Sequence, residues 1–162
     1  MLAANKIKKK YFNVKFLAIG DIDRDNISTL TYEQINNINK FKNVEFLGFK
    51  ENIIDYIIES TCVVLPSYRE GMSKSLLEAG SVGRPIIASN VPGCQEIIID
   101  EHNGFLCEPK NSKDLENVME KFINISKNEK ILFSKRSRLI VENNYDEKNV
   151  IKRYINEIEK YV

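Results

Sequence analysis

The segment "CVVLPSYREGMSKSLLEAGSVGRPIIAS" (residues 62–89) decides the fold, because it runs from a short β-branched stretch through a polar turn and a helical pattern into a second apolar stretch. Both apolar stretches, Cys62 to Pro66 and Arg84 to Ser89, suit strands covered by helices on each face. The same alternation continues on either side. "VKFLAI" (14–19), "VEFLGF" (44–49) and "GFLCEP" (104–109) read as further strands. "NIIDYIIES" places Ile53, Ile54, Ile57 and Ile58 on one helical stripe. Asn111 or Ser112 is placed to cap a helix through Leu115, Val118, Met119 and Phe122. Alternating strand and helix predicts an α/β domain with a doubly wound parallel sheet and right-handed crossovers. From about residue 112 the strands stop and the remainder reads as helices.

A chain of 162 residues suits one well-buried domain, here 1–162, and is short for two. A hydrophobic fraction of 43% and a charged fraction of 29% are those of a soluble globular protein. With 24 Lys+Arg against 23 Asp+Glu the net charge is +1, so bulk electrostatics points to neither nucleic acid nor an anionic membrane. "KIKKK" (Lys6 to Lys10) is a local exception, read as the solvated end of a helix or, alternatively, as a contact for anionic lipid headgroups. Cys62, Cys94 and Cys107 match no zinc or disulfide spacing, and Cys62 reads as a small core residue in a reducing, cytoplasmic setting. No apolar run is long enough to span a membrane, and "MLAANKIKKK" lacks the apolar centre of a signal peptide.

In open parallel sheets ligands bind at the carboxyl ends of the strands. The turn "SYREG" and the helix entered at about Ser73 are the richest such place. Gly71 allows a positive φ or a close approach of backbone to ligand. The amides of Met72 to Ser75 are first-turn donors in a field suited to phosphate. No GxGxxG or GxxxxGK[ST] pattern is present, so this is neither a dinucleotide fingerprint nor a P-loop. Structural readings stand beside the functional one: Glu70 complements the helix dipole, and Glu78 pairs with Lys74 at i,i+4.

Glu70 and Glu78, with seven residues between them in "EGMSKSLLE", resemble the E-x7-E motif of the retaining glycosyltransferases of family 4, which have the GT-B fold. "LPSYREG", "EAGSVGRPIIASNVPGCQEII" and "NGFLCEP" resemble the surrounding family pattern, as do "VKFLAIGD" and "NVEFLGF" upstream. Within the family the wording is most similar to enzymes that extend lipid-diphosphate-linked sugars for capsule, O-antigen or glycoprotein glycans. The resemblance implies that Glu70 hydrogen-bonds hydroxyls of the donor sugar and Glu78 the ribose hydroxyls, two helical turns on, with these two as the catalytic pair. It implies amides of Met72 and Ser73 on the sugar and of Lys74 and Ser75 on the diphosphate, with Gly71 and Leu76 completing the donor-binding run. Gly48, Phe49 and Lys50 fall on the loop that holds the nucleobase. The implied substrates are a UDP-sugar or other nucleotide-sugar and a glycan or polyprenyl-diphosphate-linked acceptor, with no cofactor and no required metal. The implied setting is cytoplasmic, with the full-length enzyme peripheral on the inner face of the plasma membrane.

Two other motifs invite chemistry. "DIDRDN" (Asp21 to Asn26) offers the first three ligands of a calcium loop, but Asn26 stands where Gly is wanted and Tyr32 where the bidentate Glu belongs, so a polar loop is expected. His102 is the only histidine and is expected in the turn before Gly104. Full-length members of the family carry an N-terminal acceptor domain, and their donor domain opens with a strand and loop bearing an Arg and a Lys for the diphosphate. The chain here opens on what reads as the following helix, so it is expected to be a donor-binding part that does not turn over alone. Two rivals stay open: a non-catalytic module that needs a partner chain, and another GT-B enzyme such as a nucleotide-sugar epimerase.

Overall fold

A computed structural model describes residues 1–20 and 44–161 of the protein. Its elements run α1 (Leu2–Lys10), β1 (Phe16–Ile19), β2 (Val44–Gly48), α2 (Ile53–Glu59), β3 (Val63–Leu65), α3 (Lys74–Ser81), β4 (Ile86–Ser89), α4 (Pro92–Gln95), β5 (Gly104–Cys107), α5 (Ser112–Asn124), α6 (Lys127–Tyr145) and α7 (Glu147–Ile158). The expected strands and the helical C-terminal part are all present. Asp21 to Asn26 and Tyr32 lie outside the described residues.

Every pairing among the described strands is parallel, as the alternation predicts. Val63 lies opposite Ile86, and Ile86 opposite Gly104, giving the order β3-β4-β5. Phe16 lies opposite Val44 in a separate pair, β1-β2. The expected single sheet is thus present as two parallel segments. Among the described residues one edge of β1 and one edge of β3 carry no strand.

Burial explains why these short runs become strands. All four residues of β4 are buried, and they divide by parity between two cores. Ile87 joins Phe105, Cys107, Leu115, Met119, Phe122 and Phe133, whereas Ile86 and Ala88 join Ile57, Leu76, Ala79, Cys94 and Ile97. β3 splits in the same way, with Val64 against the first cluster and Val63 and Leu65 against the second. Cys62 packs on the first cluster, the small core role expected of it, and all three cysteines are free thiols.

The helices follow their expected stripes with one exception. Ile53, Ile54 and Ile57 face the second cluster, but Ile58 is 47% exposed. At 100° per residue Ile58 stands furthest round from Ile53, past the edge of the buried arc. Asn111, rather than Ser112, caps α5: its Oδ1 accepts from the amides of Lys113 and Asp114 at 3.1 and 3.0 Å. Ser126 and Glu129 form a reciprocal capping box on α6. On α7, Val150, Ile151, Tyr154, Ile155 and Ile158 form an exposed apolar stripe. No helix among the described residues is long and apolar enough to cross a membrane.

The basic run of α1 has an internal use. Lys6 and Lys10 approach the Glu116 carboxylate at 3.3 and 3.5 Å, and Lys113 reaches it from α5 itself at 3.3 Å. Lys10 also bonds Glu120 at 2.8 Å, and Lys8 donates to the carbonyls of Phe12 and Val14. These ammonium groups fasten α1 to α5 while Ala3 and Ile7 fill the core beneath.

Ile87→Ala is expected to cost about 2–5 kcal/mol, because a cavity opens in the first core, whereas Leu17→Ala at a half-exposed position should cost under about 1 kcal/mol. Denaturant unfolding monitored by circular dichroism measures both. Burial raises the Glu116 pKa, but Lys113 and Lys6 outweigh it and hold the carboxyl below its ordinary value. Its contribution to stability is therefore present above the unfolded pKa and is lost as pH falls through the lower folded value. Glu116→Gln should lower the Tm at pH 7, and the gap from wild type should close in melts below pH ~4.

Candidate functional site

The polar turn of residues 66–72 leaves the carboxyl end of β3 and enters α3, whose N-cap is Ser73 in an extended conformation with φ −80° and ψ 109°. Leu76, Ala79 and Gly80 hold α3 against the second core. At Gly80 the fit is close, since a Cβ would stand 2.4 Å from Cγ2 of Val141 on α6. With those positions turned inward, Lys74 and Ser75 face outward and Glu78 is half-buried. Leu76 is completely buried, so its side chain anchors the helix in the second core.

The two glutamates differ in setting. Glu78 lies on α3, with Oε1 3.6 Å from the Lys74 ammonium. That lysine side chain is 89% exposed, so the pair is weak and open to exchange with a ligand. Glu70 lies three residues before the N-cap, in the turn. Glu70 therefore stands in the turn and Glu78 on the helix, which is entered at Ser73 as expected. Burial and the nearby Glu70 charge together push the Cys94 thiol up to about 11.

Gly71 does not adopt a positive φ, and a Cβ built on it meets open space. Its carbonyl lies close against α4. A Cβ on Gly93 would stand 1.5 Å from the Gly71 oxygen and 2.7 Å from the Glu70 oxygen. Only a glycine in "NVPGCQ" lets the turn carrying Glu70 settle onto α4. Sequence reasoning assigned Gly93 no role, although the glycine after a proline at the end of a strand was the available signal.

Gly48, Phe49 and Lys50 stand at the carboxyl end of β2. Gly48 has φ +68° and accepts a hydrogen bond from the Gly20 amide at 3.1 Å, while Phe49 is exposed. Met72 is exposed beside Gly71. Tyr68 and Lys110, neither anticipated, meet across the ends of β3 and β5, with the Lys110 ammonium 5.4 Å from the ring centre. His102 lies in the turn before Gly104, as expected, at the opposite end of β5. Its carbonyl accepts from Arg136 at 3.2 Å. Beside it, Asn103 is fully buried, donating to the Ile97 carbonyl and accepting from the Ile99 amide.

The arrangement offers acceptor carboxylates and uncapped helix amides side by side at the ends of parallel strands. A family model described as "Glycosyl transferases group 1" matches residues 1–150. The chain is 30% identical over 154 residues to the N,N'-diacetylbacillosaminyl-diphospho-undecaprenol alpha-1,3-N-acetylgalactosaminyltransferase of Campylobacter jejuni, covering 94% of this chain and 38% of that protein. It is 31% identical over 140 residues to the UDP-Gal:alpha-D-GlcNAc-diphosphoundecaprenol alpha-1,3-galactosyltransferase of Escherichia coli, covering 85% and 34%. The chain therefore spans little more than a third of these relatives. Among solved structures, Anabaena HepE in complex with UDP superposes with a TM-score of 0.84 at 20% identity, over 99% of this chain and 45% of that one, which shows the shared fold.

Gly93→Ala is expected to destabilise the protein by about 1–3 kcal/mol or more, because the new methyl group meets backbone and not a yielding side chain. Gly71→Ala should stay within about 0.5 kcal/mol of wild type. Paired thermal melts of the two variants measure the difference.

Proposed function

Because the chain belongs to the glycosyl transferases group 1 family, we propose that it is the nucleotide-sugar-binding domain of a retaining glycosyltransferase that moves a hexose or N-acetylhexosamine from a UDP-sugar. The observation that carries this reading is the placing of Glu70 and Glu78 on either side of the uncapped N-terminus of α3, at the carboxyl end of β3. Ionised carboxylates accept from neutral hydroxyls, so Glu70 takes sugar hydroxyls and Glu78 takes the 2′- and 3′-hydroxyls of ribose. Gly48, Phe49 and Lys50 hold the nucleobase, largely by backbone contacts. Amides of Met72 and Ser73 face the sugar, and those of Lys74 and Ser75 the diphosphate.

Transfer with retention passes through an oxocarbenium-like transition state, with negative charge growing on the departing diphosphate. Fixed first-turn amides stabilise that charge without reorganising, by up to a few kcal/mol for a well-placed donor. The exposed side chains of Arg69 and Lys74 add positive charge beside them. No divalent metal enters this scheme. The relatives' names support a lipid-diphosphate-linked acceptor. The acceptor would be met by the remainder of a longer protein working at the cytoplasmic face of a membrane.

The split sheet favours a second reading in which the domain works only with further polypeptide. Among the described residues one edge of β1 and one of β3 carry no strand, and each is suited to a parallel strand that would join the two segments. Activity that appears only on mixing with a separate acceptor-domain chain would support this partner-dependent form.

Isothermal titration is expected to show UDP and UDP-sugars binding to wild type at up to millimolar ligand. Glu78→Ala should weaken UDP by about tenfold or more, the loss expected for hydrogen bonds to a charged group. No binding by wild type, or unchanged UDP affinity in Glu78→Ala, would refute the site.

A further inference from the structure

Among the described residues two that are not glycine have a left-handed backbone, Glu101 at φ 59° and Lys110 at φ 61°. That conformation crowds any residue with a Cβ, and it persists only where the surroundings over-determine it. Glu101 lies in the turn before β5, where Lys121 holds its side chain. Lys110 lies beyond the other end of that strand, on the side of the candidate site. It is the third residue of the turn Glu108-Pro109-Lys110-Asn111, closed by the Asn111 amide donating to the Glu108 carbonyl at 3.3 Å. With proline second and a positive φ third, this is the kind of turn that ordinarily takes glycine or asparagine in third place. Here that place is filled by lysine.

This turn is fastened to α5 at both ends. The Asp114 carboxylate accepts from the Glu108 amide at 2.7 Å, and Asn111 caps the helix. From that fixed base the Lys110 side chain reaches the turn after β3. Its ammonium makes no ion pair among the described residues and stands 5.4 Å from the centre of the Tyr68 ring. The receiving turn is the less secured of the two: residues 67–72 make no backbone hydrogen bond among the described residues. The packing of the Glu70 and Gly71 carbonyls on Gly93 holds it at one point, and Lys110 holds it at another. We propose that Lys110 is a positioning residue, whose ammonium on the Tyr68 ring fixes the turn two residues before Glu70 and so sets the Glu70 carboxylate in place. This rests on the donor-binding reading above, but the residue comes from a different loop and acts through a contact within the protein. Glycine at 110 would relieve the crowded backbone and leave the ring without its cation.

The test is titration of wild type and variants with UDP, UDP-galactose and UDP-N-acetylgalactosamine, together with thermal melts. Lys110→Met keeps the stem and removes the charge, Lys110→Arg keeps a cation, and Tyr68→Phe keeps a ring. Lys110→Met, Lys110→Gly and Tyr68→Leu should each lower affinity about two- to fivefold for whichever UDP-sugar wild type binds more tightly, with UDP unchanged. Combining Lys110→Met with Tyr68→Leu should lose no more than either alone, because one contact is removed once. Lys110→Arg and Tyr68→Phe should bind as wild type does, and Lys110→Gly should melt no lower. In NMR spectra the ε-methylene protons of Lys110 should show an upfield ring-current shift that Tyr68→Leu abolishes. An equal loss for UDP and UDP-sugar would put Lys110 on the diphosphate and overturn the proposal. So would additive losses, unchanged affinities, a lower Tm in Lys110→Gly, absence of the ring-current shift, or a wild type that binds UDP but neither UDP-sugar. Absence of all binding by wild type would overturn the donor-binding reading and this inference with it.

Discussion

The structure depends on the burial of β4 from both sides. Its four residues have no solvent-facing side, so each neighbour must offer apolar surface: β3 and β5 at its edges, and helices above and below. Ile87 looks into the cluster roofed by α1 and α5, and Ile86 and Ala88 look into the one roofed by α2 and α3. Alternation along a single strand thus assigns whole helices to faces. Gly104 shows how tightly the centre is drawn, since a Cβ there would stand 2.1 Å from the carbonyl oxygen of Ile86.

The same constraint reaches the candidate site through two contacts. Leu76 and Ala79 tie α3 to the second core, fixing the direction in which its first-turn amides point. Gly93 receives the carbonyls of Glu70 and Gly71, fixing the height of the turn that carries Glu70. Cys94, fully buried and next in sequence, ties α4 to the same core as α3. A preorganised set of donors and acceptors requires supports of this kind, because side chains on a loose turn would spend binding energy on being ordered.

Electrostatics here is local. The near-balance of 24 basic and 23 acidic residues conceals a concentration of lysines around Glu116, where ammonium groups from α1 and α5 converge on a carboxylate that is 4% exposed. A run that reads as surface charge in one dimension is a clamp between helices in three. Among the described residues the cations near the site, Lys50, Arg69, Lys74 and Lys110, come from separate loops and a helix start and form no run at all.

By itself the sequence determined the strands, the helices, the parallel α/β class and the neighbourhood of Glu70 and Glu78, because each rests on local periodicity or on a motif within one short segment. The start of α3 was legible at Ser73, and the cap of α5 at Asn111 or its neighbour. Tertiary structure alone decided that the Leu76 side chain is core, that Ile58 is exposed, and that Gly93 receives the turn carrying Glu70. It also decided that Lys6 and Lys10 serve Glu116, more than 100 residues away, and that Ser73 is buried without capping its helix. Each of these turns on which segment lies against which, a quantity set by packing between residues distant in the chain and carried by no local pattern.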